Sequence, residues 1–165
     1  MVTAPRVQAF TEGSAGGAVA APANAWLPHP VTGPRSARRA RVLVLDSDEI
    51  VLRVTERMLA RLGYDPVATT RAAVVAQLYE QAAAAGQPFA LILIDPAACR
   101  GPTALELLAR LRQVDPGLRA ILSGSYCSCP PTAEYARYGF AAALPKPFTL
   151  DELGQVLMLA SGARN

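Results

Sequence analysis

Short apolar runs alternate with segments of helical periodicity along most of the chain, from residue 41 almost to the end. The apolar runs cover residues 42–45, 66–68, 89–94, 118–122 and 140–144. Runs of this length that are apolar at consecutive positions are typical of strands covered on both faces. Five such strands alternating with helices predict an α/β fold built on a doubly wound parallel sheet.

Five helices are predicted between and after these strands. The first repeats apolar residues from Ile50 and Val54 onward and ends at Gly63, and the second begins at a capping Thr70. The other three are marked, in order, by Leu105, Leu108 and Leu111, by residues 133–138, and by a capping box of Thr149 with Glu152.

Residues 1–39 differ from the rest of the chain, since they are rich in alanine, glycine and proline and lack a sustained apolar period. Such a segment buries too little apolar surface to offset the entropy lost on ordering. We therefore predict a disordered tail at 1–39 and one domain at 40–162. Trp26 is interpreted as part of this unstructured tail, and the short apolar stretch 18–21 does not make a secretory signal.

Charge and composition exclude several functional classes. The net charge of +3 belongs to the tail, because residues 41–165 hold twelve basic and twelve acidic side chains. A neutral domain is not expected to bind nucleic acid directly, and no apolar run is long enough to cross a membrane. His29 is the only histidine, which excludes a histidine-based metal site and Ser-His-Asp or Cys-His catalysis. An odd count of three cysteines favours a reducing compartment, so we predict a cytoplasmic protein.

Polar residues that can carry chemistry follow or end four of the five predicted strands. An acidic tract that begins at Asp46 follows the first strand, Asp95 follows the third, Ser123 ends the fourth, and Lys146 follows the fifth. These ends converge in a parallel sheet, beside the point where the strand order reverses. Carboxylates this close repel one another unless a hard cation such as Mg²⁺ holds them. No glycine-rich loop follows the first strand, which argues against a dinucleotide site or a P-loop.

Lys146 is the only lysine among sixteen basic residues, so one compact ammonium is kept in a chain that otherwise uses arginine. Pro145 and Pro147 flank it and restrict the backbone on both sides. This ammonium and the hydroxyl of Ser123 would hold the phosphoryl oxygens that a cation leaves free. The pocket therefore has the parts for phosphoryl transfer to a carboxylate.

Four sequence segments together carry a family resemblance: residues 42–49, the strand that leads to Asp95, residues 121–124 and residues 144–148. In order and spacing they resemble the receiver domain of response regulators in two-component signalling, over roughly residues 41–160. Receivers attached to hybrid histidine kinases are the most similar. The resemblance implies a flavodoxin-like fold with five helices and the strand order 2-1-3-4-5.

The resemblance also implies a role for each site residue. Asp95 would be the phosphoacceptor, and Mg²⁺ would be bound by Asp46, Asp95 and the backbone carbonyl of Ala97. Ser123 would be the switch hydroxyl that moves to the phosphoryl group. Lys146 would pair with that group, ahead of a peptide bond that is usually cis in the family. The implied partners are a histidine kinase or phosphotransfer protein and a downstream protein of a phosphorelay.

Three departures from the family pattern weaken this switch. Ser47 stands where the second acid of the Mg²⁺-binding pair is expected, and we expect weak Mg²⁺ binding unless Asp48 compensates, because a neutral hydroxyl is a weaker ligand. Cys99 stands where the family usually has a proline, while Pro96 directly follows the phosphoacceptor. Ala143 replaces the aromatic residue whose rotation reports phosphorylation.

Purely structural interpretations stand beside these roles. The acids after the first strand also suit helix N-caps, and Asp95 also suits a turn at a strand end. Cys127 and Cys129 lack a second cysteine pair and a nearby histidine, so we interpret them as loop residues. Cys99 has no histidine base and is interpreted as a small loop residue.

Three functions remain open. The first is a stand-alone receiver that accepts a phosphoryl group on Asp95 and is not an enzyme, since no output domain follows before Asn165. The second is a phosphorylation-independent pseudo-receiver that acts as an interaction module, which Ser47 and Ala143 favour. The third is a phosphatase similar to the haloacid dehalogenases, with Asp46 as nucleophile. It ranks last, because the closing acidic pair of that family is missing after the lysine.

Overall fold

The structure is a computed structural model that describes residues 39–99, 103–124 and 132–162. Five parallel strands form one sheet in the order β2-β1-β3-β4-β5. Their bounds are β1 Arg41–Leu45, β2 Asp65–Thr69, β3 Phe89–Ile94, β4 Ala120–Gly124 and β5 Ala142–Pro145. The predicted α/β class, the parallel sheet and the strand order are confirmed.

The two central strands are apolar throughout because both of their faces are covered. In β1, Leu43 pairs with Val67 of β2 on one side and with Ile92 of β3 on the other. Neighbouring side chains of β1 enter opposite cores: Leu43 lies in the first apolar cluster and Val44 in the second. This alternation follows from the two-residue period of a strand, and it explains why no polar position interrupts the run.

Four α-helices cover the sheet in the described part of the chain: α1 Glu49–Arg61, α2 Ala72–Ala84, α3 Ala104–Val114 and α4 Leu150–Ser161. Leu59 of α1 and Leu157 of α4 belong to the second apolar cluster, on one face of the sheet. Val75 of α2 and Leu108 of α3 belong to the first cluster, on the other face. The sheet is therefore doubly wound, as predicted.

The fifth predicted helix is absent as an α-helix. Two short 3₁₀ turns occupy Thr132–Tyr138 instead, and they meet at Glu134, whose φ of −113° is not helical. The segment ends with a hydrogen bond from the backbone N–H of Gly139 to the carbonyl of Ala136. Gly139 has a φ of +83°, which ends the segment before a further turn forms. Short connecting segments commonly take this tighter helix.

Only part of the apolar repeat that predicts α1 faces the core: Leu59 is buried, and Met58 and Leu62 pack against the second apolar cluster, but the first two members do not. Ile50 is 68% exposed and Val54 is 44% exposed, whereas the helix buries Leu52, Thr55 and Leu59. Spacings of three and four residues place those three side chains on one stripe. Ile50 and Val54 lie on the opposite side of the helix, beyond the acidic tract at the end of β1.

Three boundaries also differ from the prediction. The N-cap of α2 is Arg71, not Thr70, and its side chain makes no capping bond. The hydroxyl of Thr69 accepts from Arg71 N–H at 3.1 Å. Strands β4 and β5 both begin two residues later than predicted. Leu118 and Phe140 are buried ahead of them without joining the ladder, so apolar character alone misplaced the strand starts.

The capping box of α4 is confirmed: Thr149 Oγ1 accepts from Glu152 N–H, and a carboxylate oxygen of Glu152 accepts from Thr149 N–H at 2.7 Å. The hydrogen bonds that the backbone N–H and the hydroxyl of Thr149 donate to the Glu152 carboxylate lower the pKa of Glu152. No helix in the described residues combines the length and the apolar character needed to span a bilayer. The tail up to residue 38, with Trp26, and the loop cysteines Cys127 and Cys129 lie outside the described residues.

Candidate functional site

Backbone hydrogen bonds at the ends of strands β1 and β3 position the two central acids, Asp46 and Asp95. Asp46 follows β1 directly, and its N–H donates to the carbonyl of Thr69 at 3.3 Å. Asp95 follows β3, and its N–H donates to the carbonyl of Leu45 at 2.8 Å. Because β1 and β3 are neighbours, both side chains emerge at the same sheet edge. Asp46 is 3% exposed and Asp95 is 5% exposed.

Lys146 joins the two carboxylates from the far edge of the sheet. Its backbone N–H donates to the carbonyl of Gly124 at 3.0 Å, which extends the pairing of β4 with β5 by one residue. Its Nζ donates to Asp95 Oδ2 at 2.7 Å and also to Asp46 Oδ2. The Lys146–Pro147 peptide bond is cis. The structure thus brings three of the predicted site residues into direct contact.

The ammonium of Lys146 is stabilised by this contact. Burial alone would lower the pKa of Lys146, but the hydrogen bonds and charges of Asp46 and Asp95 outweigh burial and raise it. The side chain is 21% exposed. Lys146 therefore remains a cation at neutral pH, and the three groups together carry one net negative charge when both acids are ionised.

The second oxygen of Asp95 is also engaged. Asp95 Oδ1 accepts from Ala97 N–H at 2.8 Å, and Asp95 is the N-cap of a 3₁₀ turn at Pro96–Ala98. The family resemblance implies a role for the carbonyl of Ala97 only, whereas the structure shows that its amide contacts Asp95. The signal was present, since an aspartate followed by proline is a common start for a turn of this kind.

Asp48 caps α1. Its Oδ1 accepts from Ile50 N–H at 2.7 Å and from Val51 N–H at 3.3 Å. Its own N–H donates to Asp46 Oδ1 at 3.0 Å. This is the N-cap interpretation that the sequence left open for Asp48, and it also orients Asp46. Ser47, between the two acids, is exposed.

Replacing Asp48 with alanine is expected to lower the free energy of unfolding by about 1 kcal/mol, because two amides at the start of α1 lose their acceptor. Asp48→Asn should keep most of that stability, since asparagine is also a good N-cap. Urea unfolding followed by circular dichroism measures both variants. Equal losses in the two would show that the charge of Asp48, rather than its cap, stabilises the domain.

Ser123 lies at the carboxyl end of β4, between the strand that carries Asp95 and the strand that leads to Lys146. It pairs in register with Leu144 of β5 and is 4% exposed. The sequence prediction placed it at this edge, and the structure agrees on its position. Its role as a switch hydroxyl remains a prediction.

Cys99 lies just beyond the 3₁₀ turn that Asp95 caps. Its Sγ is 3.9 Å from the carbonyl oxygen of Asp95. Burial and the nearby charge of Asp95 raise the pKa of the Cys99 thiol to about 11. The thiol is therefore protonated at neutral pH, which fits a small loop residue and not a nucleophile.

Ala143 is half-buried in β5, at the position where the family carries an aromatic residue. It packs against the first apolar cluster, and so do the half-buried Tyr135 and Tyr138 of the 3₁₀ segment. Two aromatic side chains of this region thus lie on the 3₁₀ segment, and Phe140 lies just before the strand.

The oxygen donors at the site suit a magnesium ion that keeps several waters. Asp46, Asp95 and the carbonyl of Ala97, the ligands that the family resemblance implies, would supply two carboxylates and one carbonyl, and Mg²⁺ is commonly held by one or two carboxylates with water. In residues 39–99, 103–124 and 132–162, no group of three or more His, Cys, Asp or Glu side chains is arranged to hold a metal. The two buried carboxylates Asp46 and Asp95 are therefore the acidic side chains that would hold such an ion.

The chain matches no protein-family model and no curated protein. Among solved structures, it is similar to a response regulator receiver domain protein from Clostridium thermocellum, with 15% identity, a TM-score of 0.65, and coverage of 74% of this chain and 94% of that one. A response regulator receiver protein from Sinorhizobium medicae shares 22% identity with a TM-score of 0.62, over 77% and 98% of the two chains.

The signal receiver domain of an HD domain-containing protein from Pseudomonas fluorescens shares 24% identity with a TM-score of 0.63. That match covers 79% of this chain and 93% of the other. At these identities the likeness concerns the fold. The described part of the chain has the fold of a response regulator receiver domain, as the sequence motifs predicted.

Proposed function

We propose that this chain is a response-regulator receiver that accepts a phosphoryl group on Asp95 from the phosphohistidine of a histidine kinase or phosphotransfer protein. The observation that carries the proposal is the placement of Asp95. It is a buried carboxylate at the end of a central strand, and Lys146 Nζ lies 2.7 Å from one of its oxygens. The chain would be a phosphoacceptor in a phosphorelay, not an enzyme, and would work in the cytoplasm.

The proposed step is an in-line displacement at phosphorus. A carboxylate oxygen of Asp95 forms the new O–P bond, the N–P bond of the phosphohistidine breaks, and its electron pair returns to the imidazole. Lys146 stays beside the phosphoryl oxygens and balances their charge, while the buried edge of the sheet limits access of water. Ser123, near the end of the neighbouring strand β4, would donate its hydroxyl to the same group.

When bound, Mg²⁺ would neutralise negative charge on the transferred group. Asp46, Asp95 and the Ala97 carbonyl are the residues that would hold it. The hydrogen bond from Asp48 N–H to Asp46 fixes the orientation of one of these carboxylates.

The exposed side of α1 supports contact with a phosphodonor protein. Ile50 and Val54 project from the first two turns of this helix, immediately after the acidic tract, and are 68% and 44% exposed. Apolar side chains exposed in this way beside a reactive group suit a protein partner. A downstream protein that contacts this side of α1 would sense a conformational change of the helix on phosphorylation.

Phosphoryl transfer tests the proposal. The chain is incubated with acetyl phosphate and Mg²⁺, and with a panel of phosphorylated histidine kinases, and the product is mapped by mass spectrometry. We expect one phosphoryl group on Asp95 and none in Asp95→Asn. Asp65→Asn is the matched control. Asp65 is an exposed carboxylate at the start of β2, at the opposite edge of the sheet from Asp95. A label on Asp46 would instead indicate the phosphatase alternative.

A pseudo-receiver is the second candidate, and two observations favour it. Ser47 is neutral and exposed, and Oδ1 of Asp48 is engaged as a helix cap, so the position of the usual second acid offers no charge to a metal. Ala143 also removes the usual aromatic reporter. A folded domain that takes up neither acetyl phosphate nor beryllofluoride, and receives no label from any kinase, would support this candidate over the first.

A further inference from the structure

Charges are separated between the two ends of the sheet. Each helix begins at the end where the preceding strand finishes and runs back toward the end where the parallel strands start. The first turns of α1, α3 and α4 therefore lie at the end that holds Asp46 and Asp95, and they carry further acids: Glu49, Glu106, Asp151 and Glu152. The opposite end, formed by the strand starts and the last helical turns, is termed the base.

The base carries arginines from several elements. Arg41 begins β1, Arg61 ends α1, and Arg112 lies in the last turn of α3. Arg39 lies two residues before β1. Arg119 directly precedes β4, and its Nη1 donates to a backbone carbonyl near the end of α4 at 2.9 Å. Five guanidinium groups are thus spread over one end of the domain.

Acids balance these arginines only in part. In the described residues, the strand starts and last helical turns hold two acids, Asp65 at the start of β2 and Asp115 at the end of α3. Arg41 pairs with Asp65 at 3.3 Å. Arg137 in the 3₁₀ segment pairs with Glu134 at 3.6 Å and adds no net charge. Five arginines against two carboxylates leave a surplus of three formal positive charges, and the sequence has two more arginines, at positions 35 and 38, directly ahead of the first of them.

Exposed apolar side chains accompany the arginines at the base. Val114 is 45% exposed in the last turn of α3, and Met158 and Leu159 are 55% and 63% exposed in the last turn of α4. They are three of the five large apolar side chains exposed in the described residues. Basic and exposed apolar side chains on one surface supply the two attractions that hold a protein at a membrane surface.

A cavity of about 510 Å³ opens at the same end, between the starts of β1, β2 and β3. Its lining includes Arg39, Arg41, Asp65 and Gln87. This volume lies within the range of about 300–1,000 Å³ that is common for small-ligand sites. Guanidinium groups in its wall suit a phosphate, since their planar donors match phosphate oxygens.

We propose that the base is a docking surface for a membrane that contains anionic phospholipids. A lipid surface presents negative charge at every point, so it matches arginines spread over several elements, whereas an acidic protein would need carboxylates at corresponding positions. A surplus of three charges is small beside the six to ten phosphate contacts of a typical DNA-binding protein. Docking through the base turns the edge that carries Asp95 away from the lipid, and the inference does not depend on the proposed function.

Vesicle binding tests the proposal with the full chain. The chain is sedimented with phosphatidylcholine vesicles and with vesicles that also contain phosphatidylglycerol, at low and at physiological salt. We expect binding to the anionic vesicles only, and weaker binding as the salt concentration rises, because exposed charges are screened. Duplex DNA and polyglutamate are titrated in parallel under the same conditions.

Two double variants with the same change in net charge locate the surface. Arg39→Gln with Arg61→Gln removes charge from the base and should weaken vesicle binding on the order of tenfold. Arg53→Gln with Arg71→Gln removes equal charge near the opposite end and should stay within about twofold of the parent chain. All four arginines are exposed, so both variants should fold.

No binding to anionic vesicles at low salt would overturn the proposal. Equal losses in the two double variants would overturn it as well, because net charge and not the base would then be responsible. Tighter binding to duplex DNA or to polyglutamate than to the anionic vesicles would assign the base to another partner. The assay uses no phosphoryl donor, so its result and the labelling of Asp95 stand or fall separately.

Discussion

Lys146→Met is expected to lower the free energy of unfolding by about 3 kcal/mol, measured without divalent ions. Removing one partner of a buried ion pair typically costs about 3–5 kcal/mol, because the remaining charge stays buried without a counter-charge. The ammonium is 21% exposed, which places the effect at the lower end of that range. Lys146 is the only lysine in the chain, so the substitution removes a unique group.

A second substitution separates lost charge balance from lost packing. Asp46→Asn alone should destabilise the parent chain, since it breaks one bond to Lys146. In the Lys146→Met background, the same change should be neutral or stabilising, because it removes one of two uncompensated carboxylates. Urea unfolding of the four chains completes this cycle. Additive losses would show that the ammonium and Asp46 do not act on each other.

Gly139→Ala is expected to cost about 3 kcal/mol of stability, from two causes. Gly139 has a φ of +83°, and an L-residue in this left-handed region is strained by about 1–2 kcal/mol. A Cβ there would also lie 2.6 Å from Nη1 of Arg112, whose guanidinium donates to the Gly139 carbonyl. Displacing Arg112 would remove a hydrogen bond from a charged donor, at a cost of about 1.5–3 kcal/mol.

Gly63→Ala is the matched control for this prediction. Gly63 has a φ of +88°, nearly that of Gly139, but an added Cβ meets nothing within 4 Å. This variant should show the backbone strain alone, about 1–2 kcal/mol. Chemical denaturation of both variants gives the difference, which isolates the contact of Arg112 with the 3₁₀ segment. A loss in Gly63→Ala as large as that in Gly139→Ala would contradict the role given to Arg112.

The strands were predictable because the sheet is covered on both faces. Val42 and Val44 enter one core and Leu43 and Leu45 enter the other, so every position of β1 must be apolar. A short run that is apolar at every position, with segments of helical periodicity on either side, indicates a buried strand. Sheet order came from the family resemblance, since apolar runs alone do not say which strands are neighbours.

Helix faces and the segment between β4 and β5 were less predictable. The first turns of α1 contain Ile50, Val51, Leu52 and Val54, so apolar residues point in most directions and the spacing does not fix the buried side. Contact with the sheet determines which side of α1 is buried, and that side carries Leu52. The 3₁₀ segment contains alanine and tyrosine residues that also suit an α-helix, and its tertiary packing overrides that preference.

The candidate site was predictable in position but only partly in bonding. The convergence of Asp46, Asp95 and Lys146 followed from parallel strands whose ends share one edge. The cap formed by Asp48 and the bond from Ala97 N–H to Asp95 depend on local turn geometry. Sequence leaves such choices open because one aspartate can cap a helix or bind a metal.

The bond between Lys146 and Asp46 joins residues 100 positions apart, and that with Asp95 spans 51 positions. Contacts so distant along the chain form only after the intervening segments have been brought together, and their closure slows folding. During synthesis, the first acidic residue therefore leaves the ribosome long before the lysine exists. On the proposed function, the chain would become able to accept a phosphoryl group at Asp95 only after β5 has docked and brought Lys146 to the site.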